Sequence, residues 1–233
     1  MNLVKLLTLL SLFLCCFVFS QEDNENSVNS LIKKFRFNEK KSVVSNQPLL
    51  ESIKEFIDKK ETSIQIKVEL IDMLLSHYME KGQSVKFNRL YVKYSSWLKN
   101  SRLHLFYWDY INHAVNQNHE QSISAARSHF KEAKINGNND DLSTSYRIMA
   151  KAFMNINARD SSLFYANLSL NYARRSDSED AVLQTFKTQS EIYNHFGMIG
   201  QSTSVLIKFI DEAEKTRDDK SICWGTIQIA HKS

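Results

Sequence analysis

The sequence predicts an all-α fold: antiparallel helix pairs stacked into an α-α superhelix. Three observations predict it. First, Ala133, Ala173 and Ala213 lie 40 residues apart, and each closes the same short pattern. The copies read Ala126-x3-Phe130-x2-Ala133, Ala166-x3-Leu170-x2-Ala173 and Leu206-x3-Ile210-x2-Ala213. Positions i, i+4 and i+7 share one helix face. Small residues there let neighbouring helices approach, and the large one fills the gap. A fixed period of this size marks a stacked-helix repeat. Second, the 233 residues include one proline, Pro48, and five glycines, whereas an all-β chain needs turn residues every few positions. Third, no stretch sustains apolar/polar alternation, and the polar turns near 136–140, 176–180 and 217–220 recur at the same interval.

A second pattern lies upstream in each copy. It reads Tyr146-x2-Met149-Ala150-x2-Phe153, then Phe186-x2-Gln189-Ser190-x2-Tyr193, and begins again as Thr226-x2-Ile229-Ala230. An aromatic, a small residue and an aromatic at helical spacing make another packing face. The two patterns together resemble the tetratricopeptide repeat (TPR), whose first helix carries W-x2-L-G-x2-Y and whose second carries A-x3-F-x2-A. That unit is ~34 residues long. Here Phe153 to Ala166 spans 13 positions, about one helical turn more than in the family, as in the longer TPR arrays of bacterial signalling proteins. The resemblance covers 102–233 well and 63–100 loosely. It departs from the family at Asp109, Tyr110 and His113, which stand where apolar, small and aromatic residues are expected, and no proline closes any repeat.

The elements follow in order. Residues 1–20 read as a secretory signal peptide: a short basic start with Lys5, an apolar run from Leu6 to Phe19, and small Val18 and Ser20 before Gln21. Left uncleaved, it would anchor the chain. Leu14 before Cys15 argues against a lipid-modified cysteine. Residues 21–48 form a polar, partly disordered segment. Residues 21–30 are its disordered part, and Leu31, Ile32 and Phe35 start a short helix. The TPR-like domain occupies 49–233. Its early helices run from Leu49 to about Ile57, from about 63 to 81 with Gly82 as the stop, and from about 83 to 99 with Trp97 or Leu98 inward. First helices then cover about 102–118, 141–157 and 180–196, and second helices about 120–136, 160–176 and 200–216. The last repeat, opening at Ser221, is incomplete at Ser233, so the pattern reads as a fragment of a longer protein or a truncated product.

Little points to chemistry. No catalytic serine elbow, zinc helix, Cys-x2-Cys or phosphate loop is present. His113, His119 and His129 lie at spacings that share no helix face, so no metal site and no cofactor is expected. Asp140-Asp141 and Asp218-Asp219 read as turn carboxylates and caps. Lys33, Lys34, Arg36, Lys40 and Lys41 read as a solvated basic flank. Asn167-Leu168-Ser169 fits a glycosylation sequon, but inside a helix. Cys223, the one cysteine beyond the leader, reads as buried core beside Ile222 and Trp224. Loss of Lys5 with the leader leaves a net charge of +3, too balanced for a nucleic-acid partner.

The expected function is a non-catalytic protein- or peptide-binding scaffold, exported to the periplasm or secreted. A stacked-pair superhelix presents a concave face lined by first helices. Its candidate partner-binding residues are Arg147, Lys151, Asn155, Lys187, Glu191 and Asn194. The resemblance implies two settings: the sensor part of a transmembrane regulator, or a free periplasmic assembly factor. An enzyme with a dispersed site is the remaining alternative. A membrane is a partner only if the leader stays uncleaved or the protein continues beyond Ser233.

Overall fold

The computed structural model describes residues 27–35 and 47–231, and every regular element among them is an α-helix. The chain divides at Asn100/Ser101 into two compact units. The first holds α1 (residues 27–35), α2 (Gln47–Asp58), α3 (Ile64–Glu80) and α4 (Ser84–Leu98). The second holds α5 (Arg102–Val115), α6 (His119–Asn136), α7 (Asn139–Asn155), α8 (Arg159–Ala173), α9 (Glu179–His195), α10 (Ile199–Lys215) and α11 (Asp219–Ala230). The leader, residues 1–20, lies outside the described residues. No described helix is long and apolar enough to cross a membrane.

In the first unit, α3 packs against both α2 and α4. Leu70, Ile71, Leu74 and Leu75 are therefore buried around much of its circumference. Leu98 closes α4 inward at 0% exposure, while Trp97 stays 39% exposed and takes the Lys67 ammonium over its ring at 4.2 Å. One expectation is corrected. Residues 27–30 are helical, because Val28 joins Leu31, Ile32 and Phe35 in one buried stripe at helical spacing. Residues 21–26 lie outside the described part.

In the second unit, α5 pairs with α6, α7 with α8 and α9 with α10, and each second helix also packs on the next first helix. The small pattern residues Ala126, Ala133, Ala150, Ala166, Ala173, Ser190 and Ala213 are all buried, as is Leu206. The larger Phe130, Phe153, Leu170, Tyr193 and Ile210 are half-buried. Some of them reach the next repeat: Phe130 meets the Tyr146 ring at 5.1 Å, and Leu170 packs on the cluster around Leu183 and Phe186.

Volume is exchanged across the pair interface rather than repeated. Tyr110 is buried against Ala125 and Ala126. Forty residues on, Ala150 and Tyr165 hold those places with the sizes reversed. This swap lets α5 carry a tyrosine at a position the family keeps small. A similar exchange is found between α10 and α11. Gly225 sits where a Cβ would come within 2.8 Å of Ile210 Cγ1 and 3.0 Å of Phe209 Cδ1.

The turns between first and second helices are also built alike. Gln117, Asn157 and Gly197, again 40 apart, have φ of 58°, 57° and 70°. After α5, the Gln117 N–H donates to the Ala114 carbonyl and the Asn118 N–H to that of His113. The same two bonds follow α7 and α9. This left-handed cap satisfies carbonyls that the helix end would leave open.

Cys223 is corrected as well: it is exposed. On α11, Ile222 and Gly225 turn inward three residues apart, and Cys223 falls about 100° away from Ile222.

Candidate functional site

Successive first helices touch one another, α5 with α7 and α7 with α9, more closely than successive second helices do. The first-helix layer is therefore the tighter, inner side of the second unit. Residues at the same repeat position form rows across it. One row is Tyr107, Arg147, Lys187 and Ile227. The next is Ile111, Lys151 and Glu191.

The structure joins some of the expected residues. Lys151 Nζ and Glu191 Oε2 form an ion pair at 2.8 Å that ties α7 to α9. Both side chains are about one-third exposed (34% and 36%), so the pair contributes well under about 1 kcal/mol and serves mainly to fix geometry. Lys187 places its ammonium 4.9 Å from the Trp224 ring, whose edge packs on Phe209. Arg147 is half-buried and has no ion-pair partner among the described residues. Its charge, with that of Glu191, acts on the buried Tyr110 phenol, which burial holds protonated well above the ordinary tyrosine range. Asn155 is half-buried and Asn194 exposed, and neither joins this cluster.

Tyr107, Tyr110 and Trp224 are the members that sequence reasoning missed. Tyr107 was findable by subtracting one period from Arg147. Trp224 was not, because it lies 37 residues from Lys187.

The remaining sequence candidates resolve into structure. Asp218 caps α11 by accepting from the Ser221 N–H at 3.2 Å, whereas Asn138 caps α7. The sequon is closed: Ser169 is fully buried and donates to the Ser143 carbonyl at 2.9 Å. His129 is buried and His119 exposed. Lys33 and Lys34 are exposed, while Arg36, Lys40 and Lys41 lie outside the described residues. Among the described residues, no group of three or more His, Cys, Asp or Glu could hold a metal ion. An open groove of about 600 Å³ lies beside Arg174, Asp177, Phe186 and Lys215.

No family model and no curated protein matches the sequence. Among solved structures, the chain is similar to the crystal structure of nearly identical TPR-like repeats from a protein assigned as a kinesin light chain in Podosopora anserina. The identity is 12%, the TM-score 0.53, and the match covers 82% of this chain and 96% of that one. The chain has the TPR-like fold.

Proposed function

We propose that this chain is a non-catalytic scaffold that binds an extended, acid-bearing segment of a partner protein across α7 and α9, outside the cytoplasm. The observation that carries this reading is the placement of Arg147 and Lys187. They occupy one repeat position on adjacent first helices, and neither has a carboxylate partner among the described residues. Between them and the next row, Lys151 and Glu191 neutralise each other. The face therefore keeps two uncompensated cations in a row, a pattern that selects carboxylates through complementarity. Asn155 and Asn194 add amide groups suited to a peptide backbone. Action outside the cytoplasm rests on the signal-like residues 1–20, and a sensor role in a transmembrane regulator rests on the resemblance to bacterial signalling arrays.

The test is site-specific photo-cross-linking to acidic peptides and their amidated counterparts. A cross-linker at Asn194 should capture the acidic peptides preferentially, and one at the exposed Lys208 of α10 should capture neither. Equal capture at both sites would remove the groove reading. Recovery of the chain in the cytoplasmic fraction would remove the location.

A further inference from the structure

His129 occupies a place in the repeat that the other copies fill without a titratable group. At the α6–α7 junction, His129 Nδ1 lies 2.6 Å from Ser145 Oγ. One repeat on, Ser169 Oγ lies 3.0 Å from Thr185 Oγ1. One further on, the positions hold Phe209 and Gly225, in contact. The imidazole is 3% exposed. Ser145 donates its only hydroxyl proton to the Asp141 carbonyl at 2.7 Å, so His129 donates from Nδ1. The proton gained in acid must then go to Nε2, on a ring that is almost wholly buried.

The surrounding groups oppose that proton. From α5, His104 acts on the ring as a cation and Tyr107 packs against it, the ring centroids 6.3 Å apart. From α7 comes the positive charge of Arg147. Glu132, one turn along α6, is paired with Arg102 at 3.4 Å, and on α7 Asp141 accepts from Asn136 at 3.4 Å, while Asp140 Oδ1 is buried without a partner.

We propose that His129 makes the α6–α7 junction acid-sensitive, so that protonating its imidazole loosens α5 and α6 from the rest of the stack. The proposal does not depend on the binding face. Burial, then Arg147 and His104, lower the folded-state pKa of His129 to about 4. A free histidine titrates near pH 6.5. Above that pH neither state is charged and the junction is unaffected. As pH falls from about 6.5 towards 4, the open state takes the proton that the closed state resists, and stability is lost. At pH 5 the closed state is disfavoured roughly 20-fold relative to pH 7.

The experiment follows the imidazole signals of the whole chain by NMR and measures hydrogen exchange of segment 102–136 at pH 5 and pH 7. His129→Ser, which rebuilds the Ser169–Thr185 arrangement, and His129→Gln serve as comparisons at each pH. The expected result is a His129 titration below about pH 5, with acid-enhanced opening of 102–136 in the wild type that both variants lose. A His129 titration near 6.5, or acid opening that persists in the variants, would overturn the proposal. The wild-type NMR titration decides the matter even if a variant fails to fold.

Discussion

Ser162 donates its hydroxyl to the carbonyl of Ala150 at 2.8 Å, tying the start of α8 to the middle of α7. Ser202 makes the same bond to Ser190 at 2.9 Å. Ser122 holds the equivalent place in the first pair, where Tyr110 replaces the small residue. There its hydroxyl is buried without a partner. All three serines are at most 1% exposed, and in the two later pairs the repeat is held by a polar tie as well as by small residues.

Removing the hydroxyl should therefore have opposite consequences in the two places. Ser162→Ala loses a buried hydrogen bond and is expected to destabilise by about 1 kcal/mol. Ser122→Ala removes an unsatisfied group and is expected to be neutral or stabilising by up to about 1 kcal/mol. Urea unfolding of both variants measures the contrast. Equal losses would mean that the Ser162 bond contributes nothing net.

The left-handed turns make a second contrast. Gln117 holds φ 58° with a side chain that disfavours it, while Gly197 holds φ 70° without strain. Gln117→Gly is expected to stabilise by about 0.5–1 kcal/mol, and Gly197→Ala to destabilise by about 1 kcal/mol. A Cβ at Gly197 meets nothing within 4 Å, so that loss would be purely a backbone effect. The thermal midpoints of the two variants should move in opposite directions.

The alanine pattern itself is tested by overpacking. Ala173 is 1% exposed at the end of α8, whereas Ala158 lies in the turn before it and is only half-buried. Ala173→Leu is expected to cost about 1–3 kcal/mol and Ala158→Leu little. Denaturant midpoints with matched slopes give the comparison, and equal costs would contradict the repeat register.

Much of this fold was legible in the sequence. The period fixed which helices pair, and the boundaries of α5 to α10 fell within three residues of expectation, because alanine spacing reports a close helix contact directly. The serine ties recur at the same 40-residue interval but were hidden, since a helical serine reads as exposed until its carbonyl partner is known. The turn position was equally periodic. Its residues, Gln117, Asn157 and Gly197, share a backbone angle rather than a chemistry, and only Gly197 announces it. At the candidate face, Lys151 and Glu191 stand one period apart and could have been paired by counting. The cation over Trp224 depends on how α11 seats against α9, which no spacing encodes.

The binding face is tested most simply by charge reversal. Affinity for acidic peptides is to be measured for the wild type, for Arg147→Glu with Lys187→Glu, and for Lys208→Glu on the exposed side of α10. If the first-helix face holds the partner, the double variant should lose at least roughly tenfold in affinity, with Lys208→Glu unchanged. Unchanged binding in a folded double variant, or an equal loss in Lys208→Glu, would place the partner elsewhere.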